Sequence, residues 1–527
     1  MLPTHAESQC LVGGADSGPR SSWPGGRRLL MVVGVVGACA CAAAAATGAF
    51  YAHRGPVATP DLDGGIALFT ATEWIARGDE GGTEIDGVTY SPKDCYREAI
   101  AAEPDNGKAW IRWGMKGGGV ILGITYDAKA CYRKALVLTE YTDPEAWMYF
   151  GDEGGDRIGE VMYDKVACYT KALVIDVNMA AAWQRLGFAG GNHFDGKMHS
   201  PVDCFERALD LDPGLADSWA ELGRLGGGKW GAKSCFVRAL ELNKQGGWAW
   251  LGFGRIGGGE FDQIEFTPAQ CFVKALHAFK EEEPEDAKGV CNAWTEIGFA
   301  GGASYGDKLY TPKQAFVEGL KASKDVALTW YGMGLAGGSP EIDGDNFDTP
   351  KECFAMAKQL APENPEVDAE LGWALDPADN PERLNLFESA LKGHAKLARA
   401  WHGVADVLKG GGTFDFQGHS YTSLDCYKQA VLSDPNYWQA WVELSKVPPP
   451  LTVGTETVTA LQCCINAVEA QPDAADAWCE LALHMESTVT VGTETYDAAE
   501  VQNKCAAQGP LVDGLGPFRY DGLFNWW

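Results

Sequence analysis

From Trp74 to the C-terminus one unit of roughly 37 residues recurs about a dozen times, and a chain filled with one repeat stacks into a solenoid with no room for a separate catalytic domain. The unit reads Ala-Trp-x-x-Leu-Gly, a glycine cluster, then Cys-Tyr/Phe-x-Lys-Ala-Leu and often Asp-Pro. Its second half starts at Cys95, Cys131, Cys168, Cys204, Cys235, Cys271, Ala315, Cys353, Leu386, Cys426, Cys463 and Val501. The tryptophans keep the same step at Trp110, Trp147, Trp183, Trp219, Trp250, Trp294 and Trp330, then at Trp401, Trp441 and Trp478, with Asp368 standing in between.

Each half predicts a short helix, because apolar or small residues recur three and four apart without strand-like alternation. In Ala182-Trp183-Gln184-Arg185-Leu186-Gly187 the Trp and Leu share a face, and Gly187 leaves room for a neighbouring helix. In Cys168-Tyr169-Thr170-Lys171-Ala172-Leu173 the Cys, Tyr, Ala and Leu are expected inside and Lys171 in solvent. Asp212-Pro213, Asp434-Pro435 and Gln471-Pro472 end the second helix, since proline disfavours helical backbone in the residue before it.

These residues resemble the tetratricopeptide repeat family, with Trp, Leu and Gly on a first helix and an aromatic, Ala and closing Pro on a second. Ala216 to Gly223 carries the first half and Cys204 to Pro213 the second, and the likeness spans nearly everything after residue 70. It implies an all-α fold, a right-handed superhelical solenoid of about 11–12 helix-turn-helix repeats over residues 67–508. The period is about three residues longer than the family's 34, and the first helix ends early in glycines such as Gly117-Gly118-Gly119. The extra residues belong to the turn inside each pair.

That turn has its own pattern, in Glu84 to Tyr90, in Glu341-Ile342-Asp343-Gly344, and in Val-Gly-Thr-Glu-Thr at Val453 to Thr457 and Val491 to Thr495. Asp-Gly between β-branched residues predicts small β-turns or two-stranded ribbons along one edge, serving either as spacers between helix pairs or as a partner-binding edge.

The chain's net charge of -29 excludes a nucleic-acid function, which needs basic patches, and disfavours adsorption to anionic lipid. Leu29 to Ala52 carries no charge, follows Arg27-Arg28 and is long enough to span a bilayer. It predicts a single N-terminal transmembrane helix after a disordered segment 1–28 and before a linker 53–66. A cleaved secretory signal ending near Ala44, or part of an organelle presequence, are the competing readings. Residues 509–527 form a C-terminal tail that could cap the last repeat.

Nine of the sixteen cysteines (Cys95, Cys131, Cys168, Cys204, Cys235, Cys271, Cys353, Cys426 and Cys463) share one repeat position. Equivalent positions lie roughly 10 Å apart, too far for a disulfide, so these cysteines are expected to be buried, reduced and apolar in role. Buried thiols suit a reducing compartment, and the absence of any Asn-x-Ser/Thr acceptor argues in the same direction, whereas Arg27-Arg28 would hold the N-terminus on the cytoplasmic side and place the solenoid across the membrane.

No string supports catalysis. Gly223 to Lys229 has phosphate-loop spacing but is followed by Trp230 where a Ser or Thr must hold magnesium. Gly252 to Gly257 and Gly332 to Gly337 fit a dinucleotide fingerprint but lack the preceding strand. Asp343, Asp345 and Asp348 lack the glycine and closing glutamate of a calcium loop, and His193 and His199 lack a second ligand pair for zinc. Neither cofactor nor metal is expected. The resemblance instead implies a non-enzymatic, membrane-tethered interaction scaffold that binds other proteins in a groove lined by first helices. Groove positions fall one residue after the Trp (Ile111, Met148, Gln184, Ala220, Leu251, Thr295, Tyr331) and five after it (Met115, Asp152, Phe188, Arg224, Arg255, Phe299, Leu335). Phe188, Arg224, Leu251, Arg255, Phe299, Tyr331 and Leu335 are the expected partner-binding residues. A structural or assembly subunit of a membrane complex, and a substrate-presenting arm for an enzyme on another chain, are the alternatives.

Overall fold

The computed structural model describes residues 69–506 apart from Leu122, residues 283–285, Asp343 and Asp348, with backbone alone at 339–341, 345 and 346. Leu29–Ala52, the segments 1–28 and 53–66, and the tail 509–527 lie outside the described residues. No described helix is long and apolar enough to cross a membrane.

The described chain holds 24 α-helices and ten two-stranded antiparallel hairpins in the repeating order first helix, hairpin, second helix. It divides into two compact units. The first, ending at Asp127, holds helices Ala71–Asp79, Pro92–Ala102 and Gly107–Met115 with hairpins at 83–90 and 119–126. The second, from Ala128, holds the rest as a solenoid of antiparallel helix pairs, each packed on its own partner and on the next pair.

Local chemistry sets the ends of these helices. Most second helices begin at Ser or Thr with Asp, Glu or Gln three residues on, and in five of them Pro follows the cap directly. Ser200 accepts from the Asp203 N–H at 3.2 Å while the Asp203 carboxylate accepts the Ser200 N–H at 2.9 Å, satisfying two otherwise orphaned donors. First helices stop after nine or so residues at paired glycines. Gly155 sits at φ +63 with its N–H donating to the Phe150 carbonyl at 2.9 Å, and a Cβ there would lie 2.0 Å from the Tyr163 carbonyl oxygen.

Most register tryptophans serve two purposes. Trp183 is 2% exposed, and its indole N–H donates at 2.8 Å to the carbonyl of Val177, six residues back in the turn from the preceding helix. The same bond recurs from Trp147, Trp219, Trp250, Trp330, Trp401, Trp441 and Trp478 in the second unit and from Trp110 in the first. A bulky apolar body thus fills the core while a polar edge satisfies a turn carbonyl. At Asp368 the tryptophan slot holds a buried carboxylate instead, neutralised by the Lys358 ammonium at 2.5 Å and the Ser389 hydroxyl at 2.7 Å.

Aromatic rings of the second helices explain the glycines of the first. Phe236 is clasped between Gly223 of its own pair and Gly252 of the next, where an added Cβ would come within 2.9 Å and 2.2 Å of the ring. Gly298 and Gly332 hold Phe316 in the same way, at 2.5 Å on both sides. The repeat therefore carries its lock in a ring and two missing side chains.

The hairpins are more than spacers. Asp195 and Gly196 both take positive φ, the conformation that closes a two-residue turn with the twist of its strands. One face packs on the register tryptophan, as Phe261 and Phe266 do on Trp250. The hairpin also reaches back to the preceding second helix or the turn that follows it: Asp156 pairs with Arg133, Asp262 with Lys244 at 2.7 Å, and the Gly492 N–H donates to Glu469 at 2.8 Å. Two repeats replace the hairpin with a short 3-10 turn, at Gly228–Trp230 and Pro377–Asp379.

The nine register cysteines are all buried and outside any disulfide, together with Cys291 and Cys464. Burial pushes the thiols of Cys168, Cys204, Cys271, Cys426 and Cys463 up to about 12, so they stay protonated and inert at neutral pH.

Candidate functional site on the first-helix face

Consecutive first helices of the second unit touch one another along one side, and this contact decides what the expected groove residues do. All seven positions one residue after the tryptophan are buried. In the second unit they meet the residue just before the next repeat's tryptophan: the Gln184 amide donates to Ser218 at 2.9 Å, and the Thr295 and Thr329 hydroxyls lie 2.6 Å apart. Leu251, 1% exposed, and Tyr331, 7% exposed, therefore belong to the inter-repeat seam and not to an open groove. Phe299 is also corrected to core, set edge-on to Phe316. The cause is the close approach of neighbouring first helices, which residue spacing alone does not report.

Positions five after the tryptophan remain more open. Phe188 is 50% exposed and rests its ring edge-on against Phe205, Arg224 is exposed and pairs with Glu221 at 2.7 Å, and Leu335 is half-buried. Arg255 is half-buried and bonded to Glu296 of the next repeat at 2.7 Å, with Glu296 itself 3% exposed. Similar ties run between other first helices, Arg185 to Asp152 at 3.0 Å and Arg399 to Glu370 at 2.9 Å. Much of the charge on this face is thus spent between repeats.

One cavity opens there, of about 240 Å³, lined among others by Ala220, Glu221, Arg224, Trp248, Leu251 and Arg255. Its origin is local. Ala220 is the smallest of the seven seam residues, and Gly223 and Gly252 contribute no side chain to its wall. Trp248, 37% exposed, stands over it and leans edge-on against Phe279. Sequence reasoning missed Trp248, Glu221 and Glu296. The available signal was that Trp248 lies two residues out of register with Trp250.

Further along the same face, His402 packs between Trp373, Tyr427 and Tyr437 and bonds the Tyr437 hydroxyl at 3.0 Å. Burial, with Arg399 nearby, pushes its pKa down from 6.5 to about 4. The unfolded chain takes up that proton near 6.5 and the folded chain resists until about 4. This contribution is therefore fully present above pH 6.5 and is lost as pH falls to 4, on the order of 3 kcal/mol in all. Urea melts from pH 7 to 4 should show the decline, and His402→Phe should flatten it.

Among the described residues no group of three or more His, Cys, Asp or Glu is placed to hold a metal. The phosphate-loop string ends in the 3-10 turn Gly228–Trp230, where Lys229 is bound to Asp210 at 2.8 Å and Trp230 packs on Trp219. His199 packs its ring on Trp183. Asp343 and Asp348, which lack the spacing of a calcium loop, lie outside the described residues, as does the Asp345 side chain.

No family model matches the chain, and no curated protein does. Among solved structures it is similar to c5321, a protective antigen of uropathogenic Escherichia coli displaying an SLR fold, at 14% identity over 78% of this chain and 87% of that one, TM-score 0.44. It is also similar to the APC/C hetero-tetramer Cut9-Hcn1, at 13% identity over 79% and 76%, TM-score 0.37. A third similarity is to yeast Tom70, at 14% identity over 79% and 84%, TM-score 0.21. The described residues fold as a repeat of antiparallel helix pairs. In most repeats a Trp and a Gly lie on the first helix and an aromatic and Ala on the second, as the sequence pattern indicates, and in ten of them the added length forms the hairpin between the two.

Proposed function

We propose that this protein is a non-enzymatic interaction scaffold that holds an extended segment of a partner protein on its first-helix face. One apolar side chain of that segment enters the cavity beside Trp248, and Arg224 orients an acidic or carbonyl-rich stretch next to it. The observation that supports this reading is the half-open cavity itself, where an exposed Trp and an exposed Arg stand on a face whose other charges are tied between repeats. Trp and Arg are the side chains that most often dominate interface energies. Tethering through Leu29–Ala52 is part of the proposal.

A second reading, a permanent subunit of a membrane complex, is favoured by the outer strands of the hairpins, where Val161, Met162, Met198, Ile264 and Leu309 are all more than half exposed. A presenting arm for an enzyme on another chain would use the same first-helix face. The full chain in mild detergent, carrying a photo-crosslinking residue at position 224 or at position 309, distinguishes these. Adducts from 224 that vanish with Trp248→Ala support the scaffold. Adducts from 309 alone, in fixed stoichiometry, would replace it with the subunit.

A further inference from the structure

The last described helix pair is joined by a disulfide, which no other described pair carries. A typical second helix, Lys165–Ile175, buries Cys168, Tyr169, Ala172 and Leu173. The terminal helix Ala498–Ala506 buries Val501 alone. At the register of the locking ring it has exposed Gln502, and the facing position that is glycine in most repeats is Ala482. Cys505 takes the register of Ala172, and Cys479 takes the position after Trp478 that Gln184 and Leu251 hold elsewhere. These two cysteines form a disulfide with Cα atoms 4.6 Å apart. A covalent bond thus stands where the ring-and-glycine clasp is missing. Both residues are half-buried, whereas the eleven described cysteines outside the disulfide are all buried.

We propose that Cys479–Cys505 is a thiol-exchange site by which an external thiol of the glutathione or thioredoxin class unlocks the terminal helix. A reductant thiolate attacks one sulfur, forming a mixed disulfide and releasing the other cysteine as a thiolate that takes a proton. A second reductant thiol then resolves the mixed disulfide. Cys479 and Cys505 each end as a thiol, and the reductant leaves as its own disulfide. Reduced, the helix keeps the buried Val501 and the contacts of Lys504 over Trp478 and Tyr496, 5.3 Å and 5.8 Å from the rings, but loses its covalent tie. Its opening uncovers Trp478 and Leu481, which are buried in the locked form. Selectivity comes from access: the register thiols are enclosed and protonated, so this pair alone among the described cysteines exchanges.

Hydrogen exchange on the full chain, before and after mild dithiothreitol without denaturant, tests this. Segment 485–506 should open on the order of a hundredfold more readily once reduced, the scale of the loop-closure constraint a disulfide removes. Segment 165–211 should not change, and oxidised glutathione should restore protection. Cys479→Ala with Cys505→Ala should behave as reduced under all conditions, and adding Gln502→Phe with Ala482→Gly should bring protection back without sulfur. Unchanged exchange after reduction confirmed by intact mass would overturn the proposal. So would failure of the bond to re-form, or a loss of protection spread over the whole solenoid.

Discussion

Trp183→Ala should cost about 3–5 kcal/mol, the range for truncating a large buried aromatic. The side chain is 2% exposed, packs on Phe194 and His199 of its hairpin, and bonds the Val177 carbonyl. Trp183→Phe should separate these contributions, retaining most of the packing and losing about 1 kcal/mol for the hydrogen bond. Cys168→Ala, at an equally enclosed site, should cost far less than either, because it removes one sulfur atom. In a linear repeat array each unit contacts only its neighbours, so protection lost on Trp183→Ala should concentrate between residues 144 and 224. Hydrogen exchange by segment reads this directly, and uniform loss across 128–506 would show the solenoid to be one cooperative block.

Arg255→Glu should unfold the middle of the solenoid before it reports on binding. Its partner Glu296 is 3% exposed, and reversing one member of such a pair leaves two buried negative charges facing each other. Removing one partner of a buried pair typically costs 3–5 kcal/mol, and reversal should fall at or above that range. Arg224→Glu, on an exposed side chain paired within its own helix, should change the midpoint by under 1 kcal/mol. Thermal or urea melts of the two single variants check this. Equal small effects would mean that Arg255 is a surface residue after all. The contrast makes Arg224, with Trp248, the clean probe of partner capture and removes Arg255 from that role.

The two positions show where sequence reading ends. Both follow a register tryptophan by five residues, and spacing treats them as equivalent. They differ because Glu296 lies in the next repeat, close enough to draw Arg255 inward, while Arg224 has only Glu221 on its own helix. Similarly, Leu251 and Tyr331 are on the first-helix side, as spacing indicates, yet the adjoining first helices close over them. The cavity depended on a small residue, Ala220, and two glycines meeting across neighbouring helices. A fact of that kind has no period and leaves no mark in a single line of sequence.

By itself, the sequence determined the helix pairs, their ends, the hairpins between them and the enclosure of the cysteines. Each of these follows from interactions within about one repeat: the 3.6-residue period, proline as a stop to the second helix, Asp-Gly as a turn, and a thiol in an apolar register. Tertiary structure alone decided which charges bridge repeats, which groove residues became seam, and that Cys479 and Cys505, 26 residues apart, are bonded. Those outcomes depend on the distance between neighbouring helices, which is set by the volumes of several side chains at once, such as a ring held between two glycines.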